Sequence, residues 1–167
     1  MTLPPALPEE WARRGVGLRP EDDGDGPFLL DLFAAARGSE FAALGWPAPV
    51  LRQFLAGQQQ LQVLHYAAAY PGAFRGIVTG PEGPVGRLYL SARPGDIRIV
   101  DIALAAQWQG RGLGKALLRA VQAMAAAAGA TASLSVMAGN PAHDLYRRLG
   151  FVTMAENGPA LEMRWTG

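Results

Sequence analysis

The chain has 167 residues and no cysteine, which excludes disulfides, thiolate metal sites and a cysteine nucleophile. Its 15 Lys and Arg against 14 Asp and Glu leave a net charge of +1, which argues neither for nucleic acid nor for an anionic membrane surface as partner. His65 and His143 are too few and too far apart to suggest a zinc site.

The length suits one domain, residues 1–167, able to bury its own core. No apolar run reaches the roughly 18 residues of a membrane span. The N-terminus, MTLPPALPEEW, lacks the basic region and apolar core of a signal peptide, so a cytoplasmic protein is expected.

Residues 1–14 carry several prolines and read as an arm or linker. Val16–Pro20 is a short strand candidate, followed by acidic, glycine-rich turn chemistry over 21–26. A first helix is expected from Phe28 to Arg37, with Phe28, Leu32 and Ala36 on one face. Gly38–Pro49, containing Gly45-Trp46-Pro47, reads as a loop, and a second helix follows over Val50–Ala69 until Tyr70-Pro71-Gly72 stops it.

The period then changes to alternation. Ala73–Thr79 and Val85–Ser91 flank Gly80-Pro81-Glu82-Gly83 as a hairpin, and Arg93-Pro94-Gly95 turns into a third strand, Ile97–Ala105. A helix over Gly112–Ala128 ends at Gly129, a left-handed cap. Ser133–Met137 is the next strand, and Asn140 and Pro141 open a short helix as N-cap and first helical residue, closed by Gly150. Phe151–Ala155 and Leu161–Trp165 are the last strands. Strand, crossover helix and strand at the centre imply one parallel pair in an otherwise antiparallel sheet, with helices over both faces.

The stretch Gln109-Gly110-Arg111-Gly112-Leu113-Gly114-Lys115 joins that central strand to its crossover helix. A glycine-rich turn opening a helix directs unpaired backbone N–H groups and the positive end of the dipole at one point, which suits phosphate. A dinucleotide fingerprint has a different spacing and needs an acidic residue on the next strand, where Ser133 and Ser135 stand instead. A phosphate-binding Walker loop needs Ser or Thr after the lysine, and Ala116 follows Lys115. The remaining bland reading is a helix start whose glycines serve packing.

Gln109 to Gly114 resembles the Q/R-x-x-G-x-G/A signature of the GNAT superfamily of N-acetyltransferases. The preceding strand, the following helix, Asn140, Tyr146 and the Leu149-Gly150-Phe151 ending match the same order, and the likeness spans about Val16 to Trp165. It implies an α/β (α+β) GNAT fold: a central mixed, mostly antiparallel sheet of about seven strands flanked by about four helices. In it the parallel strands Ile97–Ala105 and Ser133–Met137 splay apart.

The resemblance also implies a site. Acetyl-CoA is the co-substrate, with no metal. Its pyrophosphate lies on the turn from Gln109, Gly110 and Arg111 through Gly112, Leu113 and Gly114 to Lys115, and backbone groups near Ala103 and Leu104 pair with the pantetheine arm. Asn140 joins the cofactor contacts, and Tyr146 is both a cofactor contact and the acid that protonates the departing thiolate. A phenol with a reference pKa of about 10 is protonated at neutral pH. Tyr146 also reads as a core aromatic, and Asn140 as a helix cap.

Asp101 is the one carboxylate inside the apolar strand run. It reads either as the base for the amine or as the partner of an arginine in the sheet. Acceptor contacts are expected from Trp46, Gln62, Tyr66 and Arg87, with Glu40, Gln58, His65 and Tyr89 in the same regions. Trp46 and Tyr66 equally fit core positions under a loop. Ser135 stands where some relatives that acetylate protein N-termini have a glutamate, which lowers the odds of such a substrate.

The expected function is direct acetyl transfer to a primary amine of a small molecule or amino acid derivative. The alternatives are a protein N-terminal or lysine acetyltransferase and a non-catalytic coenzyme A binding module. Partners beyond the amine are not expected, apart from the homodimer through sheet edges or late strands that relatives often form.

Overall fold

The computed structural model describes residues 4–167. Its organising element is a seven-stranded sheet in the order β1-β2-β3-β4-β5-β7-β6. The strands are β1 (Gly17–Pro20), β2 (Phe74–Gly80), β3 (Gly83–Arg93), β4 (Asp96–Leu104), β5 (Thr131–Met137), β6 (Val152–Asn157) and β7 (Ala160–Trp165). Neighbours run antiparallel except β4 and β5, joined through the crossover helix α4 (Leu113–Ala127). The mixed sheet with one parallel pair is the expected architecture.

Five α-helices occur among the described residues where about four were expected: α1 (Glu9–Arg13), α2 (Gly26–Phe41), α3 (Ala48–Ala69), α4 and α5 (Ala142–Arg148). The addition is α1, in the segment that reads as an arm. Pro8 caps it, and Trp11 is buried in the main core cluster beside Val16, Leu113 and Leu117. The expected loop over 38–49 is also shorter, because α2 runs on through Gly38 and Ser39 to Phe41 and a 3-10 turn occupies Ala42–Leu44. One glycine inside a helix costs only about 1 kcal/mol, too little to end it.

The sheet separates two apolar layers. Leu88, Leu90, Ile97 and Ile99 pack with Leu117 and Val121 of α4 and with Tyr146 of α5. Ile77 faces the other way, and that layer is closed by Leu29, Leu32 and Phe33 of α2 and Leu55 of α3. Helix α4 ends as expected at Gly129, φ +61°, where Ala130 N–H bonds Ala125 C=O at 2.8 Å and Gly129 N–H bonds Ala126 C=O at 3.0 Å.

The functional geometry comes from the meeting of β4 and β5. Their pairing runs from Asp96 opposite Thr131 to Ile99 opposite Leu134 and then stops. At the closed end the Asp96 carboxylate accepts hydrogen bonds from Thr131 Oγ1 and Ser133 Oγ, both 2.6 Å. At the open end Val100 is an extra residue against β3: Asp101 lies opposite Tyr89, and Ile99 already lies opposite Leu90. Such a bulge raises local twist and breaks the alternation of faces. Ile97 and Ile99 point to the α4 core before it, and Ile102 and Leu104 pack on that core after it. Asp101 is thereby delivered to the opposite face, beneath α3.

Candidate active site

A cleft of about 660 Å3 opens where β4 and β5 part. On the α2/α3 side it is lined by Phe33, Arg37, Glu40, Gln62 and Tyr66, and through the splay by Ile102, Leu134, Val136 and Tyr146. Phe33, Ala36, Arg37 and Glu40 recur at helical spacing, so one stripe of α2 forms a wall. Ala103, Ser135 and Asn140 complete the rim.

At its centre stand four side chains. Arg87 of β3 and Asp101 of β4 form an ion pair at 2.6 Å, with side chains 8% and 15% exposed. Tyr66 of α3 donates its hydroxyl to the same Asp101 Oδ2 at 3.0 Å, and Arg87 Nη2 donates to Gln62 Oε1 at 3.2 Å. Of the two readings of Asp101, the structure contains the arginine pairing. Both contacts fall on Oδ2, and Asp101 lines the cleft. Burial first, and then the charge of Asp101, pushes the Tyr66 hydroxyl well above the usual phenol range.

Tyr146 lies across the cleft on α5, 8% exposed, with its ring edge-on to Phe151 at 6.1 Å between centroids. It is both a core aromatic and a cleft residue, so the two readings of it are compatible. Burial raises its pKa, and the negative charge of Asp101 raises it further. Asn140 Oδ1 accepts the Ala142 N–H at 2.9 Å and so caps α5 from the cleft rim.

Beyond the end of β4, a 3-10 turn at Ala106–Trp108 leads into the glycine-rich stretch. Gly110 and Gly112 adopt φ +70° and +86°, a region that side chains other than glycine's rarely enter. Gly114 needs no such conformation, and a Cβ there would meet only Leu104 Cδ1 at 3.8 Å. The first intrahelical bond of α4 runs from Ala116 N–H to Gly112 C=O at 3.0 Å, so the N–H groups of Leu113, Gly114 and Lys115 remain free at its N-terminus. These open N–H groups, with a glycine the protein's own packing does not require, fit a pyrophosphate.

The turn's side chains divide in role. Gln109 Nε2 donates to Leu104 C=O at 2.9 Å and so ties the turn to the end of β4. The Arg111 guanidinium lies 5.4 Å from the centre of the Trp108 ring, and Lys115 is exposed. Trp46 is not brought to the cleft: it is 41% exposed and packs edge-on against Phe54 at 5.3 Å. His65 is exposed and also lies off the cleft. Arg37 and Val100 are cleft residues that sequence reasoning missed. Arg37 was signalled by its spacing from Phe33 and Glu40, whereas the bulge at Val100 left no such mark.

Among the described residues no group of three or more His, Asp or Glu is placed to hold a metal ion, and no helix is long and apolar enough to cross a membrane.

Fold, splayed strands and turn together define an acyl-transfer scaffold. The chain belongs to the acetyltransferase (GNAT) family, whose sequence profile matches residues 31–151. Among solved structures it is similar to the PaiA N-acetyltransferase of Thermoplasma acidophilum, a protein crystallised with coenzyme A. That likeness has 13% identity and a TM-score of 0.67, covering 91% of this chain and 99% of that one. It is also similar to an acetyltransferase from Thermus thermophilus, at 25% identity and a TM-score of 0.61, covering 90% and 96%. Among curated proteins no sequence is significantly similar.

Proposed function

We propose that this chain is an acetyl-CoA-dependent N-acetyltransferase that moves the acetyl group directly to a primary amine of a small molecule or amino acid derivative, working in the cytoplasm where acetyl-CoA is made and used. The observation that carries the reading is the splay of β4 from β5, with Tyr146 and Asp101 facing one cleft across it. Acetyl-CoA, when bound, supplies an activated thioester.

The chain's own groups then have distinct tasks. Free N–H groups of the turn from Arg111 to Lys115 hold the pyrophosphate, with the positive end of the α4 dipole behind them. Backbone groups of Ala103 and Leu104, beyond the last pairing with β5, pair with the extended arm as an added strand would. Asn140 contributes from the rim, and Gln109 keeps turn and strand in a fixed relation. Holding the two reactants together supplies much of the rate by proximity.

Asp101 Oδ2 is occupied by Arg87 and Tyr66, so Oδ1 is the oxygen that receives the amine's hydrogen bond and orients its lone pair. The amine proton passes to Asp101 or, through water, to solvent. Tyr146, kept protonated by burial, gives its proton to the departing thiolate. Gln62, Tyr66 and Arg87 contact the acceptor, whereas Trp46 would reach it only if the loop between α2 and α3 moved.

The test combines calorimetric binding of acetyl-CoA with thiol release over a panel of amines. Binding with turnover of at least one small amine is expected. Binding with no thiol release for any amine would point to a non-catalytic coenzyme A module, and absence of binding would defeat both readings.

A further inference from the structure

A second cavity of about 240 Å3 lies between α3 and the sheet. Gln62, Tyr66, Arg87 and Val100 line both it and the cleft, so the two spaces adjoin at Arg87, whose partner Asp101 lines the cleft. Its wall is apolar along Val63 and Ala67 and aromatic at Tyr66, Tyr70 and Tyr89. Tyr66 stands with its ring centroid 6.3 Å from that of Tyr70 and 6.2 Å from that of Tyr89, both steeply inclined.

An aromatic pocket raises the question of a cationic ligand. Here cations already occupy the rings: the Arg93 guanidinium lies 5.3 Å from the centre of Tyr70, and those of Arg75 and Arg87 each lie 5.5 Å from the centre of Tyr89. An ammonium entering would stand beside Arg75 and Arg87, whose carboxylate partners Glu21 and Asp101 are already engaged. An anion would have to displace one of those carboxylates. One donor is left over. Arg87 Nε has no hydrogen-bond partner, but it is shut off from both spaces and makes no polar demand on a ligand. The surface the cavity does present, Val63, Ala67 and the tyrosine rings, suits an uncharged apolar or aromatic group.

We propose that this cavity receives the tail of the acceptor amine, and that the tail is uncharged and aromatic or apolar. The assignment rests on the acetyl-transfer reading above, which places the reacting amine at the splay on the other side of Arg87. It makes aryl monoamines good acceptors. Diamines and polyamines are poor ones, because their second charge would lie among guanidinium groups.

The experiment uses phenethylamine, tyramine, ethylamine and 1,4-diaminobutane as acceptors, with thiol release from acetyl-CoA as readout. Both aryl amines are expected to exceed diaminobutane in kcat/KM by about ten-fold or more. Ala67→Trp and Val63→Phe each fill the cavity from α3 without touching Tyr146 or the glycine-rich turn. Each is expected to raise KM for phenethylamine about ten-fold while leaving ethylamine turnover within about three-fold of the parent. Retained calorimetric affinity for acetyl-CoA reports that each variant is folded. Diaminobutane matching the aryl amines, or aryl turnover unaffected by both filling variants, overturns the assignment while ethylamine turnover leaves the transfer reading standing. Loss of acetyl-CoA binding or of all turnover in the parent protein is a different result, and it removes the transfer reading and this proposal together.

Discussion

Arg87 and Asp101 sit on facing strands two residues out of register, Arg87 opposite Ala103 and Asp101 opposite Tyr89, and their side chains close that diagonal to 2.6 Å. Both are largely withdrawn from water, so removing either strands a charge in the other. Arg87→Ala and Asp101→Ala are each expected to lose about 3 kcal/mol in urea unfolding, and the double Leu variant to recover most of it. Single variants as stable as the parent would show that water, not the partner, satisfies the remaining group.

Tyr146 is expected to matter for turnover and little for binding. Tyr146→Phe should lower kcat by about 100-fold while acetyl-CoA affinity stays within a few-fold. Because its pKa is raised, by burial and then by Asp101, the hydroxyl stays protonated up to at least about pH 10. At saturating amine, kcat should therefore not fall on the alkaline side below that pH. Unchanged turnover in the Phe variant takes Tyr146 out of the mechanism, and an alkaline limb near pH 8 that the variant abolishes contradicts the raised pKa.

Gly112 and Gly114 separate the needs of the fold from those of the ligand. At Gly112, φ +86° makes any side chain strained, so loss of binding in Gly112→Val would have two causes. At Gly114 the space is open, and alanine should stabilise the free protein by up to about 1 kcal/mol through helix propensity. The Q/R-x-x-G-x-G/A signature admits that same methyl, whereas a longer side chain there would crowd the free N–H groups. Gly114→Ala is thus expected to raise Tm with acetyl-CoA affinity kept within a few-fold, and Gly114→Leu to stay folded and weaken acetyl-CoA binding. Parent-like affinity in the Leu variant would remove the pyrophosphate assignment.

Acid stability should report Asp25. The Arg19 guanidinium grips this buried carboxylate in two bonds of 2.7 and 2.8 Å, and the Asp22 N–H adds a third at 2.9 Å. The bond from Arg19 is the main cause that holds its pKa below the usual carboxylate value. The folded state then binds this proton more weakly than the unfolded chain. The stabilisation is complete above roughly pH 4 and drains away as pH falls toward the lowered pKa. Asp25→Asn should flatten the Tm profile below about pH 4; a profile as steep as the parent's would mean that other carboxylates carry the acid transition.

Much of the fold is legible in the sequence because local signals and tertiary outcome agree. The hairpin at Gly80–Gly83, the apolar stripe of α4 and its Gly129 stop each name their own structure. Helix α1 is not legible, since three prolines at 4, 5 and 8 read as linker while the burial of Trp11 depends on residues distant in sequence. The turn of the donor site is continuous in sequence and can be recognised as a string. The acceptor side is assembled from α2, α3, β3 and β4, so which of Trp46, Tyr66 and Arg87 share a space depends on packing. The partner of Asp101 depends on register, which in turn depends on one unpaired residue.

That residue, Val100, gives β4 one residue of slack in length, which no substitution can reproduce. Deleting it would restore strict alternation with Ile99 and Ile102 still on the α4 core and Asp101 still on the α3 face, so core and ion pair both survive the loss. Losing a residue between 102 and 104 has no such spare to draw on, and it turns Leu104 off the α4 core at the strand end that leads into the glycine-rich turn.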